Sequence, residues 1–204
     1  MTKLTSLPPE HAPPSDEQSG DWALIHRVGT HDVAAFERLY LKYYDYLYRF
    51  IFQVMRRSEF VEDVINEVML VVWRKASAVI PQAKASTWIL GIAYKLSLKF
   101  IEQNRITAHS SGLIDETIEE REGIDGIAGV ESNNLLLAAL KLLSEDQRAA
   151  LELLFYHGLH YRDIAAILGC NENTAKTRIY YARAKLRDFR AQLMGAERSL
   201  RGHR

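Results

Sequence analysis

Residues Tyr161 to Arg183 constrain the fold more tightly than any other stretch of the chain. They run Tyr161-Arg162-Asp163-Ile164-Ala165-Ala166-Ile167-Leu168-Gly169-Cys170-Asn171-Glu172-Asn173-Thr174-Ala175-Lys176-Thr177-Arg178-Ile179-Tyr180-Tyr181-Ala182-Arg183. A short apolar helix, a glycine turn and a longer helix with a basic outer face make the sequence form of a helix-turn-helix. Ile164, Ala165 and Leu168 supply the buried side of the first helix, and Gly169 permits the left-handed turn. In the second helix Ala175, Ile179, Ala182 and Leu186 fall on one face. At about 100° per residue the opposite face carries Asn173, Thr177, Tyr180 and Ala184. Lys176, Arg183 and Arg187 flank it on one side, with Arg178, Tyr181 and Lys185 on the other. Cations of this kind neutralise phosphates, while Asn, Thr and Tyr reach base edges. An ordinary helical hairpin with a solvated basic face is the alternative.

A formal net charge of zero, 26 basic against 26 acidic residues, looks wrong for a DNA-binding chain. The charges are segregated, however. Lys176, Arg178, Arg183, Lys185, Arg187 and Arg190 stand against Asp188 alone, whereas Asp115, Glu116, Glu119, Glu120, Glu122, Asp125 and Glu131 stand against Arg121 alone. A chain held on DNA partly by a larger partner has no need of a strongly basic total. The single cysteine, Cys170, precludes an internal disulfide framework and suits a reducing, cytoplasmic compartment. A small packed residue in the turn is its simplest role, and a redox thiol the alternative. No apolar run approaches the ~20 residues of a membrane span, and the N-terminus lacks a signal-peptide pattern, so no membrane insertion is expected.

Periodicity predicts an all-α chain of two small helical domains joined by a flexible acidic linker. Residues 1–20, with Pro8, Pro9, Pro13 and Pro14, read as a disordered tail. Residues 21–106 form the first domain. Asp32 caps a helix through Ala35, Leu39, Tyr43 and Leu47 to Phe50, a second runs from about Phe60 to Ala76, and a third from about Ser86 to Gln103. Residues 107–132 lose periodicity and gain glycine and acid, the marks of a linker. Residues 133–192 form the second domain, in which Ser144 and Gln147 make a capping box ahead of a helix through Leu151 and Leu154. Residues 193–204 are a C-terminal tail.

Two further constellations bear on function. In the helix from Glu62 to Lys75 the valine stripe does not account for Asp63, Glu67, Leu70 and Trp73, a set that suits a protein partner. The alternative is that Leu70 and Trp73 widen the buried face. The other is aromatic and basic: Trp88, Tyr94, Lys95, Lys99 and Arg105, with Lys75 and Lys84 near the preceding loop. Stacking surfaces beside cations are what single-stranded nucleic acid needs. Trp88 as a core residue is the competing reading.

These segments, in this order, resemble the extracytoplasmic-function sigma factors of bacterial RNA polymerase, the compact members of the sigma-70 family. The resemblance covers roughly residues 22–190. Region 2 is matched by Ala35-Phe36-Glu37-Arg38-Leu39-Tyr40, Glu62-Asp63-Val64-Ile65-Asn66-Glu67-Val68, Val72-Trp73 and Thr87-Trp88-Ile89-Leu90-Gly91-Ile92-Ala93. Region 4 is matched by Ala139-Leu140-Lys141-Leu142-Leu143-Ser144, Gln147-Arg148, Tyr161-Arg162-Asp163-Ile164-Ala165 and Thr174-Ala175-Lys176-Thr177-Arg178. The chain departs from the family at Tyr94-Lys95, where Arg-Asn is usual, and at Ala175 and Thr177, where Val and Ser are usual.

The resemblance implies a non-enzymatic specificity subunit that directs promoter-specific initiation, in a stress or environmental response, without a cofactor or metal. Asp63, Glu67, Leu70 and Trp73 would dock on the β′ clamp helices of core polymerase, and region 4 on the β flap. The loop from Lys75 to Ser86, with Lys84 and Trp88, would hold an extruded base of the −10 element. Lys95, Lys99, Asn104 and Arg105 would meet the non-template strand. Asn173, Thr174, Lys176, Thr177, Arg178, Tyr180, Tyr181 and Arg183 would read the −35 element. An anti-sigma factor is the further partner implied. Two other classes compete. A free-standing helix-turn-helix regulator with a ligand-binding or partner-binding N-terminal domain would bind duplex DNA tightly alone. An enzyme is disfavoured, because His157 and His160 sit three apart around Gly158 with no HExxH, cysteine cluster, P-loop or nucleophile elbow.

Overall fold

The computed structural model describes the backbone of residues 18–111 and 138–201 and the side chains of 20–104 and 138–192. Every regular element among the described residues is helical: α1 (Gln18–Gly29), α2 (Val33–Met55), α3 (Val61–Lys75), α4 (Ala85–Ser111), α5 (Glu145–Phe155), α6 (Tyr161–Leu168) and α7 (Glu172–Arg201). A short 3-10 turn over Ser58–Phe60 leads into α3. Two expectations at the ends need correction. Residues 18–20, read as tail, are the first turn of α1, and the helix of α7 continues through residues 193–201. Most of the acidic linker lies outside the described residues.

Local chemistry sets the helix ends. The Asp32 carboxylate accepts the Ala35 N–H at 3.0 Å and the Arg27 guanidinium at 2.6 Å. That amide first, and then Arg27, holds its carboxyl below the usual range. The Ser144–Gln147 capping box is present in both directions, at 3.3 and 3.2 Å. Gly169 stops α6 with φ 63°, a conformation that any Cβ would strain.

Helices α1–α4 pack around Ile25, Val28, Leu39, Leu47, Phe50, Ile65, Val68, Ile89 and Leu90, and α5–α7 around Leu153, Ile164, Ile167, Ala175, Ile179 and Ala182. Fully burying each large aliphatic or aromatic chain of this kind contributes about 1.5–3 kcal/mol. These two clusters do not stand apart. α2 packs on α5 and α4 on α6, so the buried side chains form one continuous core.

Polar groups stitch this junction. The Arg148 guanidinium donates to the carbonyls of Gln53 (3.2 Å), Val54 (3.0 Å) and Leu143 (2.8 Å), placing a cation on the C-terminal turn of α2. Arg49 meets Glu152 at 2.9 Å and lies 3.5 Å from the centre of the Tyr156 ring. His157 is completely buried, edge-on to Tyr46 (4.1 Å between centroids), Tyr156 (5.0 Å) and Phe50 (5.8 Å).

Burial, aided by the nearby Arg49 charge, pulls the His157 imidazole from its ordinary 6.5 down to about 3. The folded chain therefore binds this proton less readily than the unfolded chain. Its stability contribution is complete above pH 6.5 and is lost as pH falls toward 3. By pH 5 the loss is about 2 kcal/mol. Neither ring nitrogen has a hydrogen-bond partner, so His157→Phe keeps the ring packing and sacrifices no bond. Urea denaturation at pH 7.5 and pH 5 is expected to show the variant gaining that amount on the parent at the lower pH. Glu152, whose carboxyl is raised by burial, opposes the trend equally in both proteins.

Candidate nucleic-acid and protein interfaces

The outer face of α7 is built as the periodicity predicts. Ala175, Ile179 and Ala182 are buried and Leu186 packs on the core, while Asn173, Lys176, Thr177, Tyr180, Tyr181 and Arg183 are exposed. The Asn171 side chain caps the helix, accepting the Thr174 N–H at 2.7 Å and the Thr174 hydroxyl at 2.9 Å. The Thr177 hydroxyl donates to the Asn173 carbonyl at 2.8 Å, leaving its lone pairs outward. Lys176 pairs with Glu172 at 2.6 Å and stands 5.6 Å from the Tyr161 ring centre. Arg183 lies 5.5 Å from that of the exposed Phe155.

Asn171, Asn173, Thr174, Thr177, Arg178, Tyr181 and Gln147 surround an open groove of about 410 Å³. Sequence reasoning missed two of these. Asn171 was legible as an N-cap three residues before Thr174. Gln147 was identified as a capping residue and within the region 4 resemblance, and no local signal places it beside α7. Lys185 is not among the groove's lining residues; it donates to the Leu142 carbonyl at 3.0 Å and the Gln147 side chain at 3.2 Å.

Arg178 is only 26% exposed on its side chain and bridges to Asp146 at 2.5 Å. Asp146 also accepts the Tyr94 hydroxyl from α4. Tyr94 is buried, and burial together with that carboxylate pushes its phenol well above the usual range. It is therefore no stacking platform, contrary to its place among the aromatic and basic residues of the sequence reading. Asp146 was not anticipated, because its two partners come from separate parts of the chain.

Other residues expected at the single-stranded surface divide. Lys75, Lys95 and Lys99 are exposed and Lys84 is half-buried. Ser86, in the first turn of α4, differs from that expectation in being buried, at 6% exposure. The Asn104 amide donates to the Phe100 carbonyl at 2.9 Å, and the Arg105 side chain lies outside the described ones. Trp88 packs on the core while remaining partly exposed, 5.8 Å from the Trp22 ring.

On α3, Asp63 and Glu67 are exposed and Leu70 is 37% exposed. Trp73 is half-buried, edge-on to Phe36 at 5.1 Å. Packing thus accounts for Trp73 but not for Leu70. A row of tyrosines on α2 borders this face: Tyr40 donates to the Asn66 side chain and Tyr44 to Glu62, each at 3.1 Å.

Among the described residues no helix is long and apolar enough to cross a membrane, and no group of three His, Cys, Asp or Glu could hold a metal ion.

Comparison with known proteins matches two family descriptions, Sigma-70 region 2 over residues 39–106 and Sigma-70, region 4 over residues 133–186. The ECF RNA polymerase sigma factor SigK of Mycobacterium tuberculosis is 30% identical over 177 residues, 81% of this chain and 91% of SigK. The sigma factor RpoE of Bartonella quintana, solved in complex with the anti-sigma factor NepR, aligns with a TM-score of 0.63 at 26% identity, over 76% of this chain and 95% of RpoE. CnrH, solved with the cytosolic domain of CnrY, shares the fold with a TM-score of 0.59 at 19% identity, over 86% of this chain and 97% of CnrH.

Proposed function

This chain belongs to the extracytoplasmic-function sigma factors of the sigma-70 family, and on that premise we propose how its residues divide the work of promoter recognition. It binds core RNA polymerase and directs initiation at promoters with −10 and −35 elements. Residues 21–106 serve core polymerase and the −10 element, 107–132 link, and 133–192 serve the −35 element. The observation that carries the division is the outer face of α7: polar and cationic groups stand opposite the buried Ala175–Ile179–Ala182 stripe. Asn173, Thr177, Tyr180 and Tyr181 face base edges in the major groove, and Lys176, Arg178 and Arg183 serve phosphates or guanine edges.

The −10 and −35 elements are separate stretches of one duplex, in which each helical turn occupies about 34–36 Å. Yet Tyr94, next to the exposed Lys95, is linked through Asp146 to Arg178. One packed body cannot span both elements, so α5–α7 separate from α1–α4 when the chain engages promoter and polymerase. The packed form is that of the free chain in this reading; RpoE was solved in complex with the anti-sigma factor NepR, and a partner of that kind would hold this chain packed.

Run-off transcription with core polymerase on genomic promoter fragments tests the function. Transcripts are expected only with core present, and the chain alone should shift promoter duplexes weakly. Tight, sequence-specific duplex binding by the purified chain without core would indicate a free-standing regulator instead.

The polymerase-facing role of α3 makes a separate prediction. Asp63, Glu67 and Leu70 are exposed, so changing them alters stability by less than about 0.5 kcal/mol. Glu67→Lys and Leu70→Asp are each expected to weaken retention of core polymerase by about 10- to 100-fold, the scale of an interface anchor. Pull-down of core by the tagged chain measures this, and thermal unfolding checks the fold.

A further inference from the structure

The loop between α3 and α4, residues 76–84, runs through the exposed Ser77, Ala78, Ile80, Pro81, Gln82 and Ala83. An exposed loop selects among bases only if its backbone is held in one place, since ordering it at binding costs about 1–2 kcal/mol per residue. The chain meets this requirement from an unexpected direction.

Helix α1 braces the loop at both ends. At the near end Gly29 lies flat against the backbone where α3 gives way to the loop. A Cβ there would sit 2.9 Å from the Ala76 carbonyl carbon and 2.9 Å from the Ser77 Cα, closer than any real contact. At the far end the Trp22 indole N–H donates to the Ala83 carbonyl at 3.1 Å. The same indole lies 5.8 Å from the Trp88 ring, tilted by 33°, and so joins the loop to the first turns of α4.

The brace itself is fixed. Asp21, adjacent to Trp22 and 2% exposed, accepts the Lys42 ammonium and, at 2.8 Å, the Tyr43 hydroxyl from α2. Ile25 and Val28 on the same helix are completely buried. Every contact from α1 to the loop therefore rests on the core through a short, rigid path.

We propose that Trp22 and Gly29 are positioning residues for −10 recognition: α1 holds the 76–84 loop in the shape that discriminates the extruded base. This rests on the reading of that loop as the base-holding segment. Neither residue touches DNA in this scheme. Each acts through the loop backbone, Trp22 by one hydrogen bond and one ring contact, Gly29 by close approach. At the tip the loop then presents Ile80, 77% exposed, and Gln82 in fixed positions.

The test is reconstituted transcription with core polymerase on a promoter panel carrying each of the four bases at every −10 position. Trp22→Phe retains an aromatic ring against Trp88 and loses only the N–H. It is expected to lower the ratio between the best and worst base by about fivefold, the worth of one hydrogen bond of about 1 kcal/mol, with core retention unchanged. Gly29→Ala, which forces the loop backbone outward, is expected to lower the ratio further. Gln82→Ala and Ile80→Ala test the loop directly.

If those two change base preference while Trp22→Phe and Gly29→Ala do not, the brace is refuted and the base-holding reading stands. If they leave preference untouched, the base-holding reading falls and the brace with it. Equal losses of core retention and base discrimination in Trp22→Phe would make α1 a general stabiliser and overturn the proposal. Should Gly29→Ala fail to fold, Trp22→Phe decides alone.

Discussion

Alanine at both Lys176 and Arg178 is expected to reduce run-off transcription by about 100-fold or more at promoters that depend on the −35 element, with core polymerase retention unchanged. The magnitude follows from two lost contacts of about 1–3 kcal/mol each, less than additive if the two share a phosphate. Their roles separate experimentally. Lys176 is exposed and paired with Glu172 one turn away, a surface pair of about 0.5 kcal/mol that yields readily to a phosphate. Its removal should weaken binding evenly across sequences and flatten the salt dependence by about one unit of slope. Arg178 offers a planar fork, so Arg178→Lys should retain the charge but lose base discrimination. Because Arg178 must leave Asp146 to meet DNA, Asp146→Asn is expected to leave promoter binding intact. Normal initiation by the double variant would refute the assignment of α7 to the −35 element.

The second large effect is on stability. Arg49→Ala leaves the Glu152 carboxylate, 12% exposed, without its partner at 2.9 Å. Arg49 is 33% exposed, so the pair is part-buried, and stranding the mostly buried Glu152 charge costs about 3 kcal/mol, the low end for a buried pair. Burial already raises the Glu152 carboxyl, with Arg49 the main influence lowering it and the Arg56 charge a lesser one. Urea denaturation should place Arg49→Ala about 3 kcal/mol below the parent. Adding Glu152→Gln should recover most of the loss by removing the stranded charge. The pair joins α2 to α5, so the single variant should also release the second helical group. Limited proteolysis would then cut between the two groups faster. Unchanged proteolysis alongside the full stability loss would show that other contacts hold the junction alone.

Much of the local structure was legible because it depends on neighbours in sequence. The Asp32 cap, the Ser144–Gln147 box, the Gly169 turn and the buried stripe of α7 all involve groups within a few residues. Boundaries were less legible. α4 extends to Ser111 and α7 to Arg201, past the points where apolar periodicity fades, since backbone hydrogen bonding propagates a helix once nucleated. The exposed face of α7 was read almost whole, as it lies on one helix. The surface around α4 was read less well. Ser86 and Tyr94 are polar residues in a basic, aromatic stretch, and nothing local announces that both turn inward.

The linear order of residues determined that this chain is all-helical, that it carries a helix-turn-helix with a cationic outer face, and that a helix with acidic residues off its valine stripe precedes it. Those properties are set by periods of three to four residues and by chemistry that travels with each side chain. Only the tertiary structure decided which groups are withheld. Arg178 is tied through Asp146 to Tyr94, His157 is sealed among rings from α2 and its own group, and α1 braces a loop more than forty residues away. The physical reason is common to all three. Each contact joins segments distant in the chain, and its energy depends on burial and on distances of about 3 Å that only the packed core fixes.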